Sequence, residues 1–156
     1  MKGIHELQSD VYSAVGGRND VFALQDHTGN YYPQHSPFTL NTYRDDSNTV
    51  GAYLVGTDGL VKSGVIDIDI NKDALGDDRA ELDLLLRKQT LQIKSVLKAH
   101  RIKAITEDSG HKGYHLWIFM KEQVSAADMR FTLNTLANEF ALVDERLHWE
   151  LFPKQD

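Results

Sequence analysis

The sequence predicts an α+β protein, a mixed or antiparallel sheet with its helices packed on one face. Three observations lead there. Val65–Ile70 and Arg146–Phe152 alternate apolar and polar residues with period two, as half-buried strands do, and Tyr114–Met120 is a short, strongly apolar run of strand length. Arg79–His100 and Ser125–Phe140 place their apolar residues at a period of 3.6 instead. The order β-β-α-β-β-α-β then leaves two long helices for one sheet, and a sheet covered on one side keeps its other side free for a site.

Each element has its own signal. Ser9–Val15 is a short amphipathic helix stopped by Gly16-Gly17. Asp20–Leu24 reads as a strand, and "DHTGNYYP" as a turn followed by extended chain. Ser36–Thr49, with Pro37 and "RDDSN", reads as a loop. Val50–Val55 and Leu60–Ile70 flank the turn "GTDG", which predicts a hairpin. After the loop "NKDALGDD", Asp77 or Asp78 is the expected cap of the first long helix. Its buried stripe is Leu82, Leu85, Leu86, Ile93, Val96 and Leu97. "IKAITED" is the next strand, "SGHKG" a glycine-broken loop and "YHLWIFM" a strongly apolar strand. Met129, Leu133, Leu136 and Phe140 line the second long helix, and "RLHWELF" is the last strand, ending at Pro153.

Length and composition bound the function. A chain of 156 residues with 41% hydrophobic and 26% charged residues fits a single soluble domain, residues 1–156, that buries its own core. The absence of cysteine excludes disulfides, thiolate zinc sites and a cysteine nucleophile. Met1–Asp10 is polar, and no run approaches a membrane span, so a cytoplasmic protein without a membrane partner is expected. A net charge of −6 argues against a protein that coats nucleic acid, but a carboxylate-lined metal site is compatible with it. The basic run Arg87–Lys103 reads as a solvated helix face, with a nucleic-acid patch as the alternative.

The strand "VIDIDI" carries the first chemical signal. Period two sends Ile66, Ile68 and Ile70 to one face and Asp67 and Asp69 to the other, about 6–7 Å apart. Two carboxylates so placed repel unless a cation lies between them, and a divalent ion with oxygen ligands suits them. The competing reading is an exposed strand with charged gatekeepers. In "SGHKGYHLW", Ser109, Gly110 and Gly113 let the backbone turn its N–H groups toward an anion, and Lys112 adds a charge suited to phosphate. His115 then falls on the face of Asp67 and Asp69. In "HWELFPKQD", Glu150 falls on that face, either as a third carboxylate or, the plainer reading taken alone, as a solvent-facing strand glutamate.

An Asp-x-Asp strand, a Ser-Gly-x-x-Gly-x-His strand and an acidic strand, in that order, resemble the archaeo-eukaryotic primase superfamily. "SGHKGYHLW" is similar to the polymerase domain of bacterial end-joining ligases. "GRNDVFAL", "YYP" and "ELFPKQD" look more like primase-polymerase domains linked to CRISPR and other conflict systems. The resemblance implies a degenerate RNA-recognition-type fold and a template-dependent nucleotidyltransferase that extends a 3′-hydroxyl. It assigns Asp67, Asp69 and Glu150 to two Mg²⁺ or Mn²⁺ ions, with Asp144 and Asp156 as alternative third acids. It assigns Ser109, Gly110, Lys112, Gly113 and His115 to the triphosphate, and Arg18 to template or nucleotide, although a structural arginine is the plainer reading there. Nucleoside triphosphates, a DNA or RNA template and primer, and helicase or nuclease partners are the implied company. Similar proteins continue beyond "FPK" with a further strand, so a minimal or truncated version is expected. Without cysteines it lacks the zinc module of many priming proteins, which favours extension over unaided priming. Two rivals stay open: a metal-dependent nuclease using Asp67, Glu150 and Lys154, and a non-catalytic nucleotide or nucleic-acid module.

Overall fold

A computed structural model describes residues 3–154. The chain is α+β, with two antiparallel sheets and several helices, and it divides into two compact units. The first takes the chain up to Ser63 and again Met120–Ala126. The second takes Gly64–Phe119 and the chain from Ala127 onward.

In the first unit, α1 (Ile4–Val15) precedes β1 (Phe22–Gln25), β2 (Tyr31–Gln34), α2 (Leu40–Arg44) and β3 (Val50–Gly51). The three strands form a sheet of order β2-β1-β3. Its core is aromatic. Phe38 is buried, stacks on Phe22 at 5.7 Å and meets Tyr12 of α1 at 5.3 Å, and the Tyr12 hydroxyl donates to the Phe38 carbonyl.

Two expectations are corrected here. The stretch 36–49 is not all loop, because Thr39 caps the short helix α2 by accepting from the Thr42 N–H at 3.1 Å. No apolar period announces α2, since it has no buried residue, and its cap holds it instead. The predicted hairpin between residues 50–55 and 60–70 does not form. The "GTDG" turn closes, with the Gly56 N–H donating to the Leu60 carbonyl, but Val50 and Gly51 pair with Leu24 and Ala23 of β1. The Tyr53 carbonyl accepts from the N–H groups of Gly17 and Arg18, so the backbone there is already satisfied elsewhere.

A second sheet is built on β4 (Leu60–Ile70), β5 (Ile105–Asp108), β6 (Gly113–Ser125) and β7 (Leu147–Phe152), in the order β5-β6-β4-β7. The helices α3 (Arg79–Ala99) and α4 (Ala126–Ala137) accompany it. Asp78 is the cap of α3 and accepts from the N–H groups of Ala80 and Glu81. The helix α4 ends earlier than its apolar period, at Ala137, and Phe140 is buried from the turn that follows.

Both helices cover one face of the second unit's sheet. Gly64 lies against Met129 and Leu133 of α4, and Lys94 of α3 donates to Thr106, the register partner of Leu116. Ile66, Ile68, Ile70 and Leu116 are fully buried on that side, with Leu82, Leu86, Ile93, Leu97 and Leu133 of the helices. Met120, of the same parity as Leu116 and Ile118, is exposed where the chain passes into the first unit. The opposite face of these strands carries the polar residues.

Candidate active site

Strand parity and register together assemble the site. Asp67 and Asp69 alternate with the three buried isoleucines and so leave the helix-covered face. In the antiparallel register with β7, Asp67 is opposite Glu150 and Asp69 opposite His148. On the other side β6 begins at Gly113, whose missing side chain is a packing requirement. A Cβ there would collide with the Ile68 carbonyl and the Asp69 carboxylate. That close approach brings Lys112 and His115 to β4. Lys112 Nζ lies 2.5 Å from Asp69 Oδ2, and His115 Nε2 lies 3.6 Å from Asp67 Oδ1.

The charges on this face are unbalanced. Burial pushes the Asp67 carboxyl up from its ordinary value, the neighbouring Asp69 charge adds to this, and His115 acts against it. Asp67 Oδ1 is buried with no hydrogen-bond partner. Glu150 is more open and pairs with Lys154 at 2.7 Å. His115 is pulled up from its ordinary value chiefly by Glu107, whose Oε2 lies 2.9 Å from Nδ1. The same bond holds the Glu107 carboxyl down. Glu107 Oε2 also accepts from Trp117 Nε1 at 2.6 Å.

Three carboxylates on one face, with an orphaned buried oxygen among them, fit a hard divalent cation. Among the described residues no three His, Asp or Glu side chains are grouped so that they could hold a metal ion. Lys112 supplies the counter-charge at Asp69. The loop before β6 is closed by its own bonds. The Gly113 N–H donates to Ser109 Oγ, the Ser109 N–H to the Gly113 carbonyl and the Gly110 N–H to Asp108. These three N–H groups, expected to face an anion, point into the loop. Gly110 has a left-handed φ of 80°, as the turn requires.

Residues 39–156 match the family model of the archaeo-eukaryotic primase domain of the TOTE conflict system. The chain belongs to this family. No curated protein matches it.

In this primase domain the match spans Asp67, Asp69, the Ser109–Gly113 loop, His115 and Glu150, and begins after Arg18. The Arg18 guanidinium is engaged by Asp20, with Nε 2.8 Å from Oδ1. Of the alternative third acids, Asp144 is engaged by Arg146 through both carboxylate oxygens, and Asp156 lies outside the described residues. Three residues of the primase face were not assigned from sequence. Glu107 sits in "IKAITED", where nothing local says which strand it will neighbour. Parity puts Trp117 on the face of His115, but nothing local names its partner. Parity puts His148 on the face of Glu150, but only the register sets it opposite Asp69, where its Nδ1 is buried without a partner.

Among the described residues no helix is long and apolar enough to cross a membrane.

Proposed function

We propose that this primase domain is a template-dependent nucleotidyltransferase that adds nucleotides to a 3′-hydroxyl with two divalent cations, Mg²⁺ or Mn²⁺. The observation that carries the proposal is the buried, unpartnered oxygen of Asp67, flanked by Asp69 and cross-strand from Glu150. Membership of the primase family supports it independently. We read the sheet β5-β6-β4-β7, with α3 and α4 on its other face, as the family's RNA-recognition-type core.

Asp67, Asp69 and Glu150 would hold the cations. When bound, these would lower the pKa of the 3′-hydroxyl and neutralise the triphosphate and the leaving pyrophosphate. The chain's own residues do the rest. Lys112 exchanges its ion pair with Asp69 for one with phosphate. His115, whose protonated form is favoured by the Glu107 bond, presents Nε2 to a phosphate oxygen on the same face. Ser109 and Gly113 hold the loop that aims Lys112, so the grip comes from side chains more than from the loop's N–H groups.

Primer extension and de novo priming with Mn²⁺, followed by pyrophosphate release, test the proposal. Asp67→Ala/Asp69→Ala should lower incorporation on the order of a thousandfold or more while circular dichroism stays unchanged. Full activity in that variant would remove the metal assignment. Degradation of labelled DNA without extension would favour a nuclease.

A further inference from the structure

The open face of β6 continues past His115 with two aromatic side chains of the same parity. Trp117 and Phe119 are stacked, their ring centroids 5.8 Å apart and their planes within 4°. Phe119 is 39% exposed, and Ile105, the register partner of Trp117, is 61% exposed. The indole N–H of Trp117 is satisfied by Glu107 at 2.6 Å, which pins the ring and leaves apolar surface for any further contact.

We propose that Trp117 and Phe119 form a stacking site for a base of a single-stranded nucleic acid, adjoining the phosphate-facing His115. Four features select that ligand. The rings already form a parallel stack, which a flat π-system extends and a bulky aliphatic group does not. The Glu107 carboxylate beside Trp117 repels phosphate, so the backbone of the strand is excluded from this spot. The apolar surface consists of two partly covered rings of at most roughly 150–250 Å² each, with the smaller Ile105 side chain beside them. That falls short of the roughly 800 Å² per partner that a stable protein interface buries. Glu107 also bonds His115, so one carboxylate sets both the ring that would face a base and the ring that would face a phosphate. The identity of the ligand as a nucleic-acid strand rests on the primase reading, but the stacking itself requires neither metal nor catalysis.

The chain contains two tryptophans, so Trp149→Phe leaves Trp117 as the only indole. In EDTA, that protein is titrated with oligothymidylate and with an abasic sugar-phosphate strand of equal length. The thymine-bearing strand should quench Trp117 and bind on the order of tenfold tighter than the abasic one. Phe119→Leu should remove most of that difference, and Phe119→Tyr should keep it. Asp67→Ala/Asp69→Ala should retain it as well, which separates failure of the stacking site from failure of the nucleotidyltransferase reading. Equal affinity for both strands, or a base preference untouched by Phe119→Leu, would overturn the proposal. If Phe119→Leu does not fold by thermal melting, the comparison of the two strands on the parent protein decides.

Discussion

Glu107 holds two rings with one oxygen, and that arrangement favours the protonated form of His115. The Glu107–His115 bond raises the histidine and lowers the acid. The histidine's part of the stability is complete below its ordinary 6.5 and is lost as pH rises through the raised folded value. The acid's part is complete above its ordinary 4.5 and is lost as pH falls through the lowered folded value. The pair therefore stabilises most between these two ordinary values. Glu107→Ala should move the His115 titration downward in NMR, and its stability deficit should be largest in that same window. A His115 titration unmoved by the substitution would contradict the bond. At this scale the sequence exposed Asp67, Asp69 and His115, because parity is a local property of a strand. It concealed Glu107, because a cross-strand partner depends on register.

Two elements depend on single residues that their periodicity does not single out. The helix α3 reads as amphipathic, yet Gln89 is fully buried within its stripe. Its Nε2 donates to the Ala141 carbonyl at 3.0 Å and its Oε1 accepts from the Val143 N–H at 2.8 Å, tying α3 to the chain that leads into β7. Gln89→Leu keeps the apolar volume but orphans both backbone groups, and should cost about 2–4 kcal/mol in urea denaturation. At the start of β6, Gly113→Ala drives a methyl into β4 beside Asp69. It should cost about 1–3 kcal/mol by the same measurement, with a further loss of Mn²⁺-induced stabilisation because Asp69 is displaced.

For the molecule as a whole, acid is the informative stress. The chain carries a net charge of −6, and its carboxylates differ in what they do for stability. Asp67 opposes folding once ionised, since burial and Asp69 hold its carboxyl up. Asp144 does the reverse. Arg146 keeps it ionised down to about 2, while also reaching Glu81 in the first turn of α3 and Asp77 just before it. Asp144 therefore stabilises above its ordinary 3.8, and that contribution is lost as pH falls toward about 2. Asp144→Asn should lower the urea midpoint at pH 7, and the difference from the unaltered chain should shrink as pH falls from 4 toward 2. A gap that stayed constant over that range would show that the ion pair contributes nothing.

The sequence by itself determined the α+β class, a capped start of α3 at Asp77 or Asp78, and the face on which Asp67, Asp69, His115 and Glu150 lie. Each of these follows from spacing along a single stretch of chain, period two in strands and 3.6 in helices. Only the tertiary structure decided that residues 50–51 pair with β1, that Glu107 grips both His115 and Trp117, and that Lys112 neutralises Asp69. Those contacts join residues far apart in the chain. Their geometry comes from strand order, register and the close approach at Gly113, and no local pattern encodes them.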